Sequence, residues 1–286
     1  MTENAIRVFA GATAVVTGAA SGIGRALAEA LAARGSDVVL ADLQIALAEE
    51  AAAGIRAAGG KAEALELDVV DCAAVESVLR ATVERTGRLD FMFNNAGIGV
   101  GGPVARHTIE DWRRVLDVNL RGVVNGVQAS YRIMLEQGFG HIVNTASMAG
   151  LGATPGAVSY ATAKHAVVGL SKSLRAEAAA EGIRVSVLCP GVVRTAILAG
   201  GGRYGKNLLD LSPEQERELW EKARPMPPAI FAGKALAAIA RNQAIIIIPG
   251  WWRVFWLLDR LFPSLSVRLA GRKYRAVLAR LGEHIA

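Results

Sequence analysis

Short runs of Val, Ile, Leu and Ala recur along the chain without polar alternation, separated by Ala-rich stretches with helical spacing. Runs of that kind are what strands buried on both faces look like. They predict seven strands, at 12–17, 37–41, 62–67, 89–94, 141–145, 183–188 and 244–248. Helices are predicted over 22–34, on to about 58, over about 71–86, from a Thr108 N-cap to about 137, and over about 156–181. Strand–helix alternation implies right-handed crossovers and an α/β, doubly wound parallel sheet covered on both sides.

The interval 196–228 breaks this rhythm. It holds Gly200-Gly201-Gly202, then a polar helical pattern from Ser212-Pro213-Glu214, then Pro225-Met226-Pro227-Pro228. A glycine hinge before a helix reads as a lid over a site, or else as a long surface connection. The pattern divides the chain into a catalytic body over 1–250, lid included, and an extension over 251–286.

Thr17-Gly18-Ala19-Ala20-Ser21-Gly22-Ile23-Gly24 follows the first strand and opens the first helix. Glycines there allow a tight turn and close approach of backbone to a pyrophosphate, which the helix N-terminus then attracts. The second strand ends at Asp42, whose carboxylate can accept hydrogen bonds from the ribose hydroxyls of NAD and would repel the 2′-phosphate of NADP. Its neighbours are Ala41 and Leu43, with no cation beside it, so NAD is expected over NADP.

Tyr160 and Lys164 stand four residues apart, one above the other on a helix face. A phenol titrates near ~10, and an adjacent ammonium favours the phenolate. Lowering that value to about 7 would take roughly 4 kcal/mol and make the pair a general acid and base near neutrality.

Taken together, TGAASGIG over 17–24, Asp42, Asp68-Val69, Asn94-Asn95-Ala96-Gly97, Asn119, Ser147, Tyr160-Ala161-Thr162-Ala163-Lys164, and Pro190-Gly191 followed by Thr195 resemble the short-chain dehydrogenase/reductase family over about residues 8–250. The resemblance implies a Rossmann-type sheet of seven strands and an NAD-dependent alcohol dehydrogenase or carbonyl reductase. By position it implies that Asp68 and Val69 hold the adenine edge, and that Asn95, Ala96 and Gly97 line the cofactor. Val193 and Thr195, after Pro190 and Gly191, would meet the nicotinamide carboxamide. Lys164 would bind its ribose, Ser147 would polarise the substrate oxygen, and Asn119 would position a water in a proton relay. Asn94 reads equally as a cofactor contact or as a structural hydrogen-bonder. Homo-tetramers or homo-dimers are implied as well. A non-redox enzyme or a non-catalytic nucleotide-binding homologue is the alternative reading.

Val100, Met148, Leu151, Ile197 and Leu198, with Ser147 and Tyr160, are expected to line the substrate pocket. They offer no Arg or Lys to clamp an anion, so an uncharged, hydrophobic secondary alcohol or ketone is expected. His107, His141 and His165 are not spaced as metal ligands and read as surface or capping residues; no metal site is expected.

Composition changes the picture in two places. Cys72 and Cys189 sit in apolar stretches and read as buried free thiols of a reducing compartment. Met1-Thr2-Glu3-Asn4 carries neither a basic leader nor an apolar signal core, so a cytoplasmic protein is expected. The net charge of +6 is concentrated after residue 250, where seven cations face Asp259 and Glu283, so the body itself offers no argument for nucleic-acid binding.

That extension opens with Trp251-Trp252-Arg253-Val254-Phe255-Trp256-Leu257-Leu258 and is broken by Pro263. Over 264–281, Val267, Ala270, Tyr274, Val277, Leu278 and Leu281 fall on one side of a helix and Arg268, Arg272 and Arg275 on the other. No apolar run is long enough to span a bilayer. Three roles stay open: packing on its own or a partner subunit as a cap on the pocket, peripheral membrane contact, or a loosely ordered extension.

Overall fold

The computed structural model describes residues 5–199, 204–209 and 211–281. The proposed hinge glycines Gly200, Gly201 and Gly202, and Glu283 of the tail, lie outside them. The elements in chain order are β1 (Thr13–Thr17), α1 (Gly22–Ala32), β2 (Asp37–Asp42), α2 (Ile45–Ala57), β3 (Lys61–Glu66), α3 (Cys72–Thr86) and β4 (Phe91–Asn94). They continue with β5 (Gly99–Gly101), α4 (Ile109–Leu116), α5 (Gly122–Gln137), β6 (Gly140–Thr145), α6 (Val158–Ala178), β7 (Ile183–Pro190) and β8 (Gly205–Asn207). Last come α7 (Pro213–Glu221), α8 (Pro228–Ala240), β9 (Ile245–Ile248), α9 (Trp252–Leu261) and α10 (Pro263–Arg280).

Seven strands form one parallel sheet in the order β3-β2-β1-β4-β6-β7-β9. The strands β1, β4, β6 and β7 are buried almost throughout, because helices cover both faces of the sheet. Leu27, Leu31, Phe231 and Leu236 of α1 and α8 pack on one face against Val16, Leu40 and Phe93. Leu79, Val127, Met134 and Val167 of α3, α5 and α6 pack on the other against Val15, Met92 and Ile142.

Helix starts follow their capping residues. Asp71 caps α3 through the Ala74 N–H. Thr108 and Asp111 form a reciprocal capping box on α4, and Ser212 with Gln215 repeats it on α7. The long helix predicted from Thr108 is divided by a π-turn at Asp117–Arg121 that carries Asn119. A turn of that kind loosens the helical ladder and is often found at functional sites.

Sequence periodicity had not shown four features. β5 and β8 pair parallel as a separate two-stranded sheet, Gly99 opposite Gly205 and Gly101 opposite Asn207. The helix α8 follows the predicted Pro-rich break with Pro228 as its first residue. The tail's aromatic run is itself a helix, α9. In α10, Ala270, Tyr274, Val277, Leu278 and Leu281 turn inward as expected, whereas Val267 is exposed, because it lies beyond the end of the surface that α10 covers.

Two side-chain expectations are corrected. Cys72 is exposed in the first turn of α3, where the apolar neighbours in sequence lie on other faces; Cys189 is buried in β7. His141 is neither a surface nor a capping residue: β6 is covered on both faces, and the ring is buried. Ser186 Oγ donates to the Gln243 carbonyl at 2.7 Å, so His141 Nε2–H is left to donate to Ser186 Oγ at 2.8 Å. His107 is half-buried beside Trp112, and His165 is exposed with Nδ1 against the Ala161 carbonyl.

Burial, helped by Arg184 and Arg175, lowers the His141 pKa from 6.5 to about 3. Between those values the unfolded chain binds a proton that the fold does not, so stability falls as pH falls from 6.5 towards 3. The expected slope is up to ~1.4 kcal/mol per pH unit. His141→Gln, which keeps a donor for Ser186, should flatten that part of the acid unfolding profile in thermal melts; an unchanged slope would assign acid sensitivity to other groups.

Candidate active site

The strand order reverses between β1 and β4, where successive crossovers leave the sheet in opposite directions. Ligands of open α/β sheets bind in the crevice at the carboxyl ends of such strands. A cleft of about 1840 Å³ opens at this edge. Gly18, Ser21, Gly22, Ile23, Asp42, Leu43, Asp68 and Val69 line one part of it, and Asn95, Ala96, Gly97, Pro190, Gly191, Val193 and Thr195 the middle. Ser147, Tyr160 and Lys164 follow, with Val100, Met148, Leu151, Ile197 and Leu198 around them. Of the residues singled out by sequence, Gly24, Asn94 and Asn119 stand behind the cleft wall.

The glycine turn is tight for steric reasons. Gly18 has φ +66°, and a Cβ there would lie 2.7 Å from Ala96 Cα. A Cβ on Gly24 would lie 2.1 Å from the Gly18 carbonyl oxygen. The turn therefore folds onto the residues after β4. Thr17 locks this contact: its Oγ1 accepts from the Asn95 N–H at 2.9 Å and the Ala96 N–H at 3.1 Å. Asp42 ties the end of β2 to the same turn, Oδ2 accepting from the Ala20 N–H and Oδ1 from the Gln44 N–H, each at 2.9 Å. The cradle that a Cβ would fill, the open N-terminus of α1 and the carboxylate of Asp42 together fit a dinucleotide. Asp68 is exposed, its Oδ1 accepting from the Val70 N–H at 3.0 Å.

Asn94 is buried and donates to Asn144 Oδ1 at 2.9 Å, which makes it a tie between β4 and β6 rather than a cleft residue. Asn119 is fully buried. Its Oδ1 accepts from the Ile98 N–H and its Nδ2 donates to the Ile98 carbonyl, both at 2.8 Å. A Cβ on Gly97 would sit 3.2 Å from Asn119 Oδ1 and 3.6 Å from Lys164 Nζ, so the two side chains flank Gly97. Both polar atoms of the Asn119 side chain are thus used to fix the strand-to-loop turn.

Ser147 follows β6, and its Oγ accepts from the Ala149 N–H at 3.1 Å, leaving the hydroxyl proton for a ligand or for Tyr160. Lys164 is buried on α6, and Nζ donates to the Thr145 carbonyl at 2.8 Å. Nζ stands 5.5 Å from the centre of the Tyr160 ring. Burial brings the Lys164 ammonium down to about 8. Burial also raises the Tyr160 phenol above its ordinary value, against the hydrogen bond with Ser147, which lowers it. The sequence spacing had suggested a lowered phenol. In this structure desolvation is the largest influence on the phenol, and the ammonium turns to the Thr145 carbonyl. Cys189, below the pair, is pushed up to about 12 by burial and stays a neutral thiol.

The segment 196–228 and the tail add residues that sequence reasoning missed. Gln44 Nε2 donates to the Tyr204 hydroxyl at 3.0 Å, bridging the end of β2 to the segment before β8. Lys206 of β8 pairs with the buried Asp111 of α4 at 2.5 Å. Trp252, Trp256, Asp259 and Tyr274 line the far end of the cleft. A Cβ on Gly191 would lie 2.4 Å from Trp252 Nε1, so the indole rests directly on that loop. The aromatic density of 251–256 was the available signal; which rings face inward depends on where α9 docks.

A family model described as short chain dehydrogenase matches residues 12–202. The chain is 37% identical over 230 residues to a levodione reductase of Leifsonia aquatica, covering 79% of this chain and 84% of that one. It is 43% identical over 253 residues to the probable oxidoreductase EphD of Mycobacterium tuberculosis, 87% of this chain and 43% of that longer protein. Among solved structures, a short chain dehydrogenase/reductase from Burkholderia phymatum in complex with NAD superposes with a TM-score of 0.82 at 34% identity, covering 91% of this chain and 96% of that one.

Proposed function

As the chain belongs to the short-chain dehydrogenase/reductase family, we propose that it transfers a hydride between an uncharged, hydrophobic secondary alcohol or ketone and NAD. The observation that carries the reading is the convergence of Ser147, Tyr160 and Lys164 at the carboxyl edge of the sheet, in one cleft with the glycine turn. Supporting it, the levodione reductase is named for reducing a ketone, and the Burkholderia phymatum structure holds NAD.

Gly18, Ser21, Gly22 and Ile23 at the start of α1 would hold the pyrophosphate, and Asp42 with Leu43 the adenosine ribose. Asp68 and Val69 would border the adenine, and Asn95 to Gly97, Val193 and Thr195 the nicotinamide end. The nicotinamide ring, when bound, supplies or accepts the hydride. The rest is done by side chains of this chain. Tyr160 Oη gives a proton to the substrate oxygen in reduction and takes one in oxidation. Ser147 Oγ–H donates to the same oxygen as charge develops there. Lys164 holds a positive charge beside the phenol and, through Gly97, abuts Asn119. With the Asn119 amide committed to Ile98, its main-chain carbonyl at the π-turn is the group left to hold a relay water. Val100, Met148, Leu151, Ile197 and Leu198 would exclude water from the reacting centre.

The test is a panel of hydrophobic secondary alcohols and ketones with NAD or NADH, followed through the absorbance of reduced nicotinamide. Turnover is expected with NAD above NADP. Cofactor binding without turnover on any substrate would return the non-redox or non-catalytic reading. Asp42→Ala should narrow the NAD-to-NADP ratio of kcat/KM by about tenfold, ~1.4 kcal/mol. An unchanged ratio would remove Asp42 from cofactor discrimination.

A further inference from the structure

Among the described residues, α9 and the first half of α10 expose more large apolar side chains than any other part of the chain. Val254, Leu257, Leu258, Leu261, Phe262 and Leu265 are each about half or more exposed, Leu261 at 68%. Every residue from 260 to 265 is exposed, so the corner between the two helices projects from the body. Soluble monomers rarely leave so large an apolar patch uncovered. The inward positions are already accounted for: Trp252, Trp256 and Asp259 on α9, and Ala270, Tyr274, Val277 and Leu278 on α10, face the body.

The exposed charges on α9 and α10 all have one sign. Arg253, Arg260, Arg268, Arg272 and Arg275 are exposed, and the acid within α9 and α10, Asp259, is half-buried and accepts from Ser266 Oγ at 2.6 Å. A second copy docking through this face would, by two-fold symmetry, set the same cations against one another. A surface of anionic headgroups over hydrocarbon matches both properties at once, apolar side chains entering the acyl boundary and arginines meeting the phosphates. No described helix is long and apolar enough to cross a membrane, which leaves a helix pair lying in the interface.

We infer that the α9–α10 corner is a docking surface for an anionic lipid bilayer, entered by Leu257, Leu261, Phe262 and Leu265 and flanked by Arg260 and Arg268. The inference does not depend on the redox chemistry, and its readout is binding.

The test uses the full chain and vesicles of phosphatidylcholine, with or without phosphatidylglycerol, in a sedimentation assay at low salt. The protein should sediment with the anionic vesicles and be released at ~0.5 M salt. Leu261→Glu/Leu265→Glu should weaken that binding by about tenfold or more. Arg260→Glu/Arg268→Glu, which leaves the apolar side chains in place, should abolish the preference for anionic lipid. Both pairs are exposed and outside the cleft, so NADH affinity should stay unchanged, and the leucine pair should keep its melting temperature, while Arg260 also stacks over Trp256. Failure to sediment with anionic vesicles, or sedimentation indifferent to both pairs, would overturn the inference. So would a dimer in sedimentation velocity that Leu261→Glu/Leu265→Glu dissociates while vesicles are ignored, which would assign the face to a second copy.

Discussion

Tyr160→Phe is expected to lower turnover by about a thousandfold while changing NAD affinity by less than ~threefold. The substitution removes one oxygen and keeps the ring, so the packing on α6 and the Lys164 bond to the Thr145 carbonyl are undisturbed. What disappears is the atom proposed to exchange a proton with the substrate, which shares a hydrogen bond with Ser147. Initial rates and a fluorescence titration of NADH separate the two quantities. Equal loss of rate and affinity would mean that Tyr160 chiefly holds the cofactor. The pH dependence has a definite sign. Burial raises the phenol pKa, so at neutrality Tyr160 carries its proton. That is the form needed for reduction, and oxidation gains as the proton leaves. Alcohol oxidation by the unsubstituted protein should therefore climb through the alkaline range, ketone reduction should fall over it, and the residual activity of the Phe variant should show neither trend.

Gly24→Ala is expected to destabilise the fold and to weaken cofactor binding by at least ~30-fold. The new Cβ would stand 2.1 Å from the Gly18 carbonyl oxygen and 2.6 Å from Asn95 Nδ2. The first of these is backbone and cannot step aside without opening the turn. Overpacking of this kind costs about 1–3 kcal/mol, and each kcal/mol lowers the melting temperature of a chain this size by about 2–4 °C. Gly54→Ala is the control. It is also a helical glycine, exposed on α2, with nothing within 4 Å of its Cβ position. There alanine should raise stability by ~0.5–1 kcal/mol and leave cofactor binding alone. Thermal melts and NADH titrations of the two variants give the comparison; equal behaviour would show that close packing of the turn is not what Gly24 is for.

The inner strands of the sheet were legible because each is a run of mostly apolar residues long enough to be recognised without knowing its neighbours, whereas the edge strand β3 alternates polar and apolar positions. β5 and β8 were not legible, since each is three residues long and their pairing joins Gly99 to Gly205 across the whole of α4, α5 and α6. Local pattern carries no trace of so distant a partner. His141 was misjudged for a related reason: the hydroxyl that lets it be buried belongs to Ser186 on the next strand. Cys72 was misjudged in the opposite direction, because apolar neighbours in sequence are not neighbours on a helix face. The chemistry was easier to read than its tuning. Tyr160 and Lys164 were named from spacing and Ser147 from the family resemblance, yet the direction of the Tyr160 shift depends on how deeply α6 is covered. The Pro-rich stretch at 225–228 held a signal that was read only as a break, since Pro228 in the first turn also starts α8.

The indole of Trp252 lies against Gly191, while Val254 and Leu257 of the same helix look outward. One helix of ten residues, α9, thus has a side on the Gly191 loop, proposed to meet the nicotinamide, and a side on whatever covers the tail. Thermodynamic linkage then sets an equality. The factor by which an occupied outer face changes the affinity for the dinucleotide is the factor by which a bound dinucleotide changes the affinity of that face. A single measurement of either, with and without the other, gives the coupling of the two.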